Sequence, residues 1–375
     1  MSENSYTEIT KNSYGKNVKN SFGGIIFGIV LFVLSVVILW FNEGNLAKQN
    51  QIASYVNKNA IPVQNTSIDT NNDNKLISVS GNLVTDEDLS DGMITVPKAL
   101  VLDRTVEMYQ WVEHEDSDTD TNMGGSTTTK TTYTYKKEWS DRPIDSSNFY
   151  KKSYVNPPFT LKSERLEAKK GSFGEFKLSN YQTSRLNNLT EYSNLPYNRN
   201  YTISGNYYYK SNNIESPSIG DIRISYKYMP SDSPISVIGM QRADKTITPM
   251  TIKQGNVYMQ YDGILTQDEI VEKFKKGNLV TTNIFRIIGF FLMFFGLNLI
   301  LKPIGTLLSF IPIFEKIVSF LTGGLVFLIS LVLSLIIIAV AWLCYRPVAA
   351  ICLLAAAVAV GVLIKNKISK THINS

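Results

Sequence analysis

Between Phe22 and Phe41 the chain carries twenty consecutive uncharged residues, FGGIIFGIVLFVLSVVILWF. At about 1.5 Å of rise per residue such a run crosses roughly 30 Å of hydrocarbon as one helix, and few other environments accept so long an apolar stretch. A cleaved leader would need a shorter apolar core and a small-residue cleavage site, whereas this run ends in Trp40, Phe41, Asn42 and Glu43. The first span is therefore set at residues 22–41. A second apolar block, Ile284–Ile364, lies near the other end, and the stretch between is polar and rich in Thr, Ser, Asn and Tyr.

The second block divides at its charges and prolines. Residues 283–301 form the second span, with Arg286 one turn inside its start, where it can snorkel to the interface. Lys302-Pro303 ends that helix. The segment over 302–320, PIGTLLSFIPIFEK at its centre, is too short to cross separately and reads as an interfacial amphipathic piece. Residues 321–344 make the third span, Tyr345-Arg346-Pro347 a turn, 348–364 the fourth span, and 365–375 a tail. The predicted class is an integral membrane α-helical protein of four spans. Residues 42–282 form its large β-rich α+β extramembrane domain.

Orientation follows from the short flanks. Lys11, Lys16 and Lys19 precede the first span, Lys365, Lys367 and Lys370 follow the fourth, and Lys302 and Lys316 border the intervening loop. An even number of spans puts all of them on one side, the cytosolic one, so residues 1–21 are expected to be a cytosolic tail. Trp40 and Trp342 then fall at the opposite interface, in an aromatic belt. Ten of the 37 basic residues and three of the 32 acids lie outside residues 42–283, which leaves that segment with 27 basic and 29 acidic residues, a net −2. Nucleic acid is not an expected partner of such a domain. Both cysteines, Cys344 and Cys352, belong to the membrane region, so the domain must be stable through its packed core alone.

Within the domain, alternation marks strands at 76–84, 106–113, 131–139, 201–210, 221–228, 234–240 and 256–261. The second and third flank HEDSDTDTNMGGSTTTK and predict a long hairpin with an exposed tip. Residues 49–75 read as a loop or short helix, and 173–192 as helical. Thr266-Gln267-Asp268-Glu269 is a capping box opening a helix that leads into the second span.

Reactive constellations are scarce. His114 is the domain's one histidine and sits among acids in the hairpin tip, a solvated setting rather than that of a general base. Asp116, Asp118 and Asp120 open like a calcium loop, but Thr121 and Thr127 stand where glycine and glutamate are required. No metal, cofactor or catalytic residue is expected. In the spans, Gly24 and Gly28 form a small-xxx-small pair suited to close helix approach, either between copies or inside one bundle. Asn298, Ser330 and Ser334 are candidates for hydrogen bonds between helices. Glu43, Arg286 and Arg346 share one membrane depth, so Glu43 is a candidate to pair with Arg346 or Arg286, while three independent snorkelling residues, solvated as interfacial charges usually are, are the reading slightly preferred.

Several strings together resemble the transmembrane protein 43 (LUMA) family along nearly the whole chain. They are Asn42–Gly44, Val106–Glu113, Tyr133, Tyr135, Glu138-Trp139, Asn148-Phe149, Asn156-Pro157 and Gly220, Asp221, Arg223, Ser225. They continue through Val237-Ile238, Gln241-Arg242, Asp244, Pro249, Gly255, Gly296–Leu299, Pro312, Phe314 and Trp342–Pro347. The resemblance implies one N-terminal span, a lumenal domain and three C-terminal spans. It implies residence in the endoplasmic reticulum and inner nuclear membrane in animal cells, self-association, partnership with emerin and lamins, and no enzymatic activity. The insertion around Gly124-Gly125-Ser126 departs from animal members, and a bacterial source would make the domain periplasmic and remove lamins as partners. The leading expectation is a self-associating membrane scaffold, a homo-oligomer that organises other membrane proteins in the bilayer. A channel or transport subunit capped by the domain is the alternative, and a lipid-binding domain near the bilayer a third. The membrane offers few ionisable groups for the second, and the acidic, histidine-poor domain little for the third.

Overall fold

The computed structural model describes residues 4–122, 126–308 and 324–346. They divide into two compact units. One draws on Met1–Thr10, Ser54–Thr119 and Thr129–Phe274, the other on Lys11–Ala53, Asp120–Thr128 and Lys275–Ser375.

The first unit is built on two sheets. Strand β1 (Ser5–Asn12) begins the chain, and β2 (Leu76–Val84), β3 (Ala99–Thr121) and β4 (Thr127–Ser140) follow. Strands β5 (Thr202–Ser204), β6 (Tyr207–Lys210), β7 (Ile222–Pro230), β8 (Ser233–Gln241) and β9 (Met259–Asp262) complete the main set. The larger sheet runs β1-β4-β3-β7-β6-β5, and the second is centred on antiparallel β2 and β8 with β9 on the far side of β8. The alternation in VEMYQWVE does what its period requires. Val106, Met108 and Gln110 are buried, while Glu107, Tyr109 and Trp111 lie on the opposite face. In β8 the pattern differs, because Ile235 to Val237 and Ile238 are buried on both faces, as in any central strand covered twice.

Two cores result. Ile77, Val79, Leu83, Val101, Phe173, Phe176, Ile235 and Val237 fill the first, while Leu102, Val106, Tyr208, Ile224 and Tyr226 pack with Leu89, Ile94 and Val96 in the second. Gly174 makes the tight turn between Phe173 and Phe176 at φ +64°, and any Cβ there would strike the Asn65 carbonyl. The second core encloses a buried carboxylate. Asp91, with a side chain 2% exposed, accepts from the Tyr226 hydroxyl at 2.6 Å, Arg104 Nη1 at 2.8 Å and the Met93 and Ile94 amides at 2.9 Å each. Burial pushes its carboxyl up, but hydrogen bonds from Tyr226, Ile94, Met93 and Arg104 outweigh that and hold it below the ordinary value.

The helical unit contains most of α1 (Tyr14–Asn59) and α2 (Gln267–Leu308), with α3 (Val326–Tyr345). All three are long and apolar enough to cross a membrane. The fourth span expected at 348–364, the tail at 365–375 and the interfacial piece beyond residue 308 lie outside the described residues.

Several expectations are corrected. The first helix does not stop at the apolar run but continues to Asn59, since Leu46, Ala47, Ile52, Ala53 and Val56 carry a helical apolar face through an Asn-rich stretch. The capped helix and the second span are one helix. Thr266 and Glu269 form the capping box reciprocally, at 2.7 and 3.3 Å. Lys302-Pro303 does not end it. Proline removes one hydrogen bond, and helices in apolar surroundings often absorb that loss. Residues 173–192 form a tight hairpin and a four-residue helix, Asn180–Thr183, in place of the helix expected there. The strand expected over 201–210 is a hairpin turned at Gly205, whose φ is +57°. Within residues 1–21, expected as a tail, the sequence pattern marks no secondary structure. Ser5–Asn12 form β1, hydrogen-bonded to the open edge of β4, and residues up to Thr10 belong to the sheet unit.

The Asp91 network gives a pH prediction. A depressed native pKa means the group stabilises above its unfolded value of 3.8 and loses that contribution as pH falls through the lower native value. Asp91→Asn is expected to cost about 1–3 kcal/mol near neutral pH, because Tyr226 and Arg104 lose a buried carboxylate acceptor and Arg104 keeps only Glu164 and the Lys162 carbonyl. The gap between variant and parent should narrow in acid below 3.8. Thermal unfolding of the detergent-solubilised protein followed by circular dichroism across that range measures both.

Candidate functional site

The residues singled out in the spans converge within the helical unit. Helix α1 presents Asn42, Glu43 and Gly44 on its last turn above the apolar run, and α2 presents Thr282 and Arg286. Arg286 donates to Glu43 through Nε to Oε1 at 2.6 Å and through Nη2 to Oε2 at 2.9 Å, a bidentate pair. The Glu43 side chain is 1% exposed and that of Arg286 31%. Arg286 Nη1 also reaches Asn283 Oδ1 at 3.1 Å, and Asn42 Nδ2 donates to the Thr282 carbonyl at 3.0 Å.

The remaining residues divide. Arg346 does not reach Glu43; its guanidinium lies 5.5 Å from the centroid of the Trp342 ring. The α3 terminus meets the first helix through Tyr345, whose ring is 6.0 Å from that of Trp40 and fills the space where Gly44 would carry a Cβ, 2.5 Å from Cζ. Gly28 faces Gly296 of the same chain. A Cβ on Gly28 would fall 2.8 Å from the Gly296 carbonyl oxygen, and one on Gly296 would fall 2.8 Å from the Phe32 nitrogen. Gly24 sits on the same face, 3.6 Å from Leu299, and Gly289 makes room for Leu39. Of the two readings of the glycine pair, packing inside one bundle is the one these contacts fit. Asn298 hydrogen-bonds the Phe294 carbonyl of its own helix at 2.8 Å, and Ser330 does the same to Val326 at 2.7 Å. Of these three, Ser334 crosses between helices, to Met293 Sδ at 3.4 Å.

Sequence reasoning had missed Thr282, Gly289 and the partnerships of Gly44, Tyr345 and Gly296. Gly44, Tyr345 and Gly296 lie inside strings that carry the family resemblance, so a signal existed. Gly289 and Thr282 offered none.

In the sheet unit the resemblance-bearing residues act as fasteners. Glu107 holds Arg223 bidentately at 2.6 and 2.8 Å, and the guanidinium lies 4.7 Å from the Trp139 ring and 5.0 Å from that of Tyr207. Asn156 clamps the Trp111 backbone through both its amide oxygen, at 2.7 Å, and its nitrogen, at 3.0 Å. Glu113 accepts from the Tyr135 hydroxyl and the Tyr150 amide, and burial with that carboxylate pushes the Tyr135 phenol up to about 12. His114 is half exposed, 3.6 Å from Glu138, and Asp116, Asp118 and Asp120 are exposed. Among the described residues no group of three or more His, Cys, Asp or Glu side chains is placed to hold a metal. Two clefts, about 480 Å³ beside Arg199 and Tyr209 and about 530 Å³ beside Val63 and Leu265, are open to solvent.

Such a structure is that of an integral membrane protein with several apolar helices and a β-rich extramembrane domain. The family model of Transmembrane protein 43 matches residues 108–347. Transmembrane protein 43 of Rattus norvegicus is 31% identical over 342 residues, covering 87% of this chain and 85% of its own. The protein of Homo sapiens is 30% identical over the same shares, and the homolog of Drosophila melanogaster is 28% identical over 88% of this chain and 91% of its own. No solved structure matches. The chain belongs to the Transmembrane protein 43 family.

Two outcomes are expected. Glu43→Arg and Arg286→Glu should each lower thermal stability, by about 2–4 kcal/mol given partial solvent screening of the arginine, and the double swap should restore much of it. The same cycle with Arg346→Glu should be additive, as read from unfolding midpoints. Gly28→Ile should destabilise the monomer itself by about 2 kcal/mol or more through overpacking against Gly296, with Gly24→Ile costing less.

Proposed function

We propose that the chain is a non-enzymatic membrane scaffold that self-associates and organises other membrane proteins around it. The observation that carries this reading is how the resemblance-bearing residues are used. Glu43, Gly44, Gly296 and Tyr345 fix helices, Glu107, Trp139 and Arg223 fix neighbouring strands, and Asn156 fixes a loop on the sheet. The face of Gly28 is already taken by Gly296, so self-association is assigned to surfaces outside that crossing.

The topology proposed with this function puts the sheet domain across the membrane from the cytosol and the basic flanks on the cytosolic side. Strand β1 stands against a cytosolic N-terminus, because a strand and its sheet partner share one side of a bilayer. Magnitudes decide between them. Nine large apolar side chains between Phe22 and Phe41 are about half exposed. Placing them in hydrocarbon gains on the order of 10 kcal/mol. An edge strand returns a handful of ladder hydrogen bonds at about 0.5–1.5 kcal/mol each, and Tyr6 adds two ring contacts and a cation–π contact at about 0.5–1 kcal/mol each. Helix α1 therefore spans, and residues 5–12 leave the sheet when it does.

In native membranes, amine cross-linking followed by mass measurement of the solubilised protein should yield dimers or larger assemblies of the chain. A monomer at every cross-linker dose would refute self-association. Sidedness is read separately: with Cys344 and Cys352 replaced by serine, Asn188→Cys should resist an impermeant thiol reagent added from the cytosolic face of sealed vesicles.

A further inference from the structure

Strand β4 has β3 on one side and only β1 on the other. Its outer edge is fourteen residues long, TTTKTTYTYKKEWS, with threonine and tyrosine alternating over Thr132–Tyr135. Such an edge exposes a row of unpaired amide and carbonyl groups whenever its neighbour is absent.

The seat that β1 occupies is more than a backbone ladder. The Tyr6 ring lies edge-on to Tyr135 at 6.0 Å and to Tyr154 at 6.3 Å, and Lys151 Nζ stands 4.7 Å above its face. Tyr135 and Tyr154 are themselves stacked at 3.9 Å, with Trp111 edge-on to Tyr154 at 4.7 Å, so the socket has fixed aromatic walls. The backbone register is set beside it. The Tyr135 amide donates to the Asn4 carbonyl at 2.9 Å, and the Tyr154 hydroxyl donates to Asn4 Oδ1 at 3.1 Å. Main-chain pairing supplies affinity in such an arrangement and a pocket for alternate side chains supplies selectivity.

We infer that the β4 edge and its aromatic socket form a strand-addition site for a partner protein's extended segment bearing an aromatic residue, presented on the domain's side of the membrane. The inference rests on the spanning of α1 proposed above. Once residues 22–41 cross, the chain's own Tyr6 is on the other side of the bilayer and cannot return. The site that β1 fits is then vacant, while Trp111, Tyr135, Tyr154 and Lys151 stay in place because β3, β4 and the 149–154 loop hold them. What fits is defined by what β1 supplies: a few residues of extended backbone with a tyrosine or phenylalanine at the position of Tyr6, its ring beneath a lysine ammonium.

The test uses the full chain in lipid nanodiscs, where both faces are accessible, and a fluorescein-labelled synthetic peptide of residues 2–12 as probe, read by anisotropy. Saturable binding is expected, equal within about twofold for the full chain and for a chain lacking residues 2–10, and weakened at least about tenfold by Tyr6→Ser in the peptide. Binding to neither chain, or binding indifferent to Tyr6, would overturn the strand-addition site. Binding to the truncated chain alone would show that β1 stays docked in the membrane protein. That result refutes the release of β1, and with it the vacancy proposed here, while the edge itself remains able to take a strand. Circular dichroism of both chains guards against loss of fold, since a chain that keeps its spectrum and binds nothing counts against the site.

Discussion

A carboxylate that is 1% exposed needs a partner, and Glu43 has one in Arg286. The pair sets the register of α1 against α2 at the point where the apolar run ends. From there the antiparallel crossing follows residue by residue: Asn42 on the Thr282 carbonyl, Leu39 against Gly289, Gly28 against Gly296. Each glycine removes a side chain where two backbones would otherwise be held apart, and hydrocarbon provides no hydrophobic drive to bring helices together. Close packing and one bidentate charge pair must supply the adhesion. Tyr345 adds the third helix by occupying the space left at Gly44.

The sheet domain uses the same economy with other residues. Cysteine is absent from it, so no disulfide braces the long loops after β4, and they are tied down by side-chain hydrogen bonds. Asn156 and Glu113 grip backbone amides of the loop and the hairpin together, and Arg223 is held between a carboxylate and two aromatic rings. Inside, the Asp91–Arg104–Tyr226 cluster closes the second core around a charge that stays ionised. These are structural uses of residues that in another fold would suggest chemistry.

Much of this was legible in the sequence for physical reasons. The apolar runs, the alternation in β2 and β3 and the capping box at Thr266 each follow from a local rule that the fold obeys. The partnership of Glu43 was narrowed to two arginines by membrane depth alone. Choosing Arg286 over Arg346 needed the rotation of α2, which a linear sequence does not state. Helix α1 was cut short because asparagines at 42, 45, 50, 57 and 59 hid the period carried by Leu46, Ile52 and Val56. Strand β1 was invisible because its support is tertiary: eight mostly polar residues gain a sheet edge and an aromatic socket that lie more than a hundred residues away.

The helix junction is tested most directly by hydrogen exchange on the membrane-embedded chain, comparing the parent with Glu43→Gln. If one charge pair sets the register of both helices, amides over 39–46 of α1 and over 282–290 of α2 should speed up together, by about tenfold or more, since about 1.4 kcal/mol of lost pairing is a factor of ten. An increase confined to the turn that contains residue 43, with 282–290 unchanged, would contradict it.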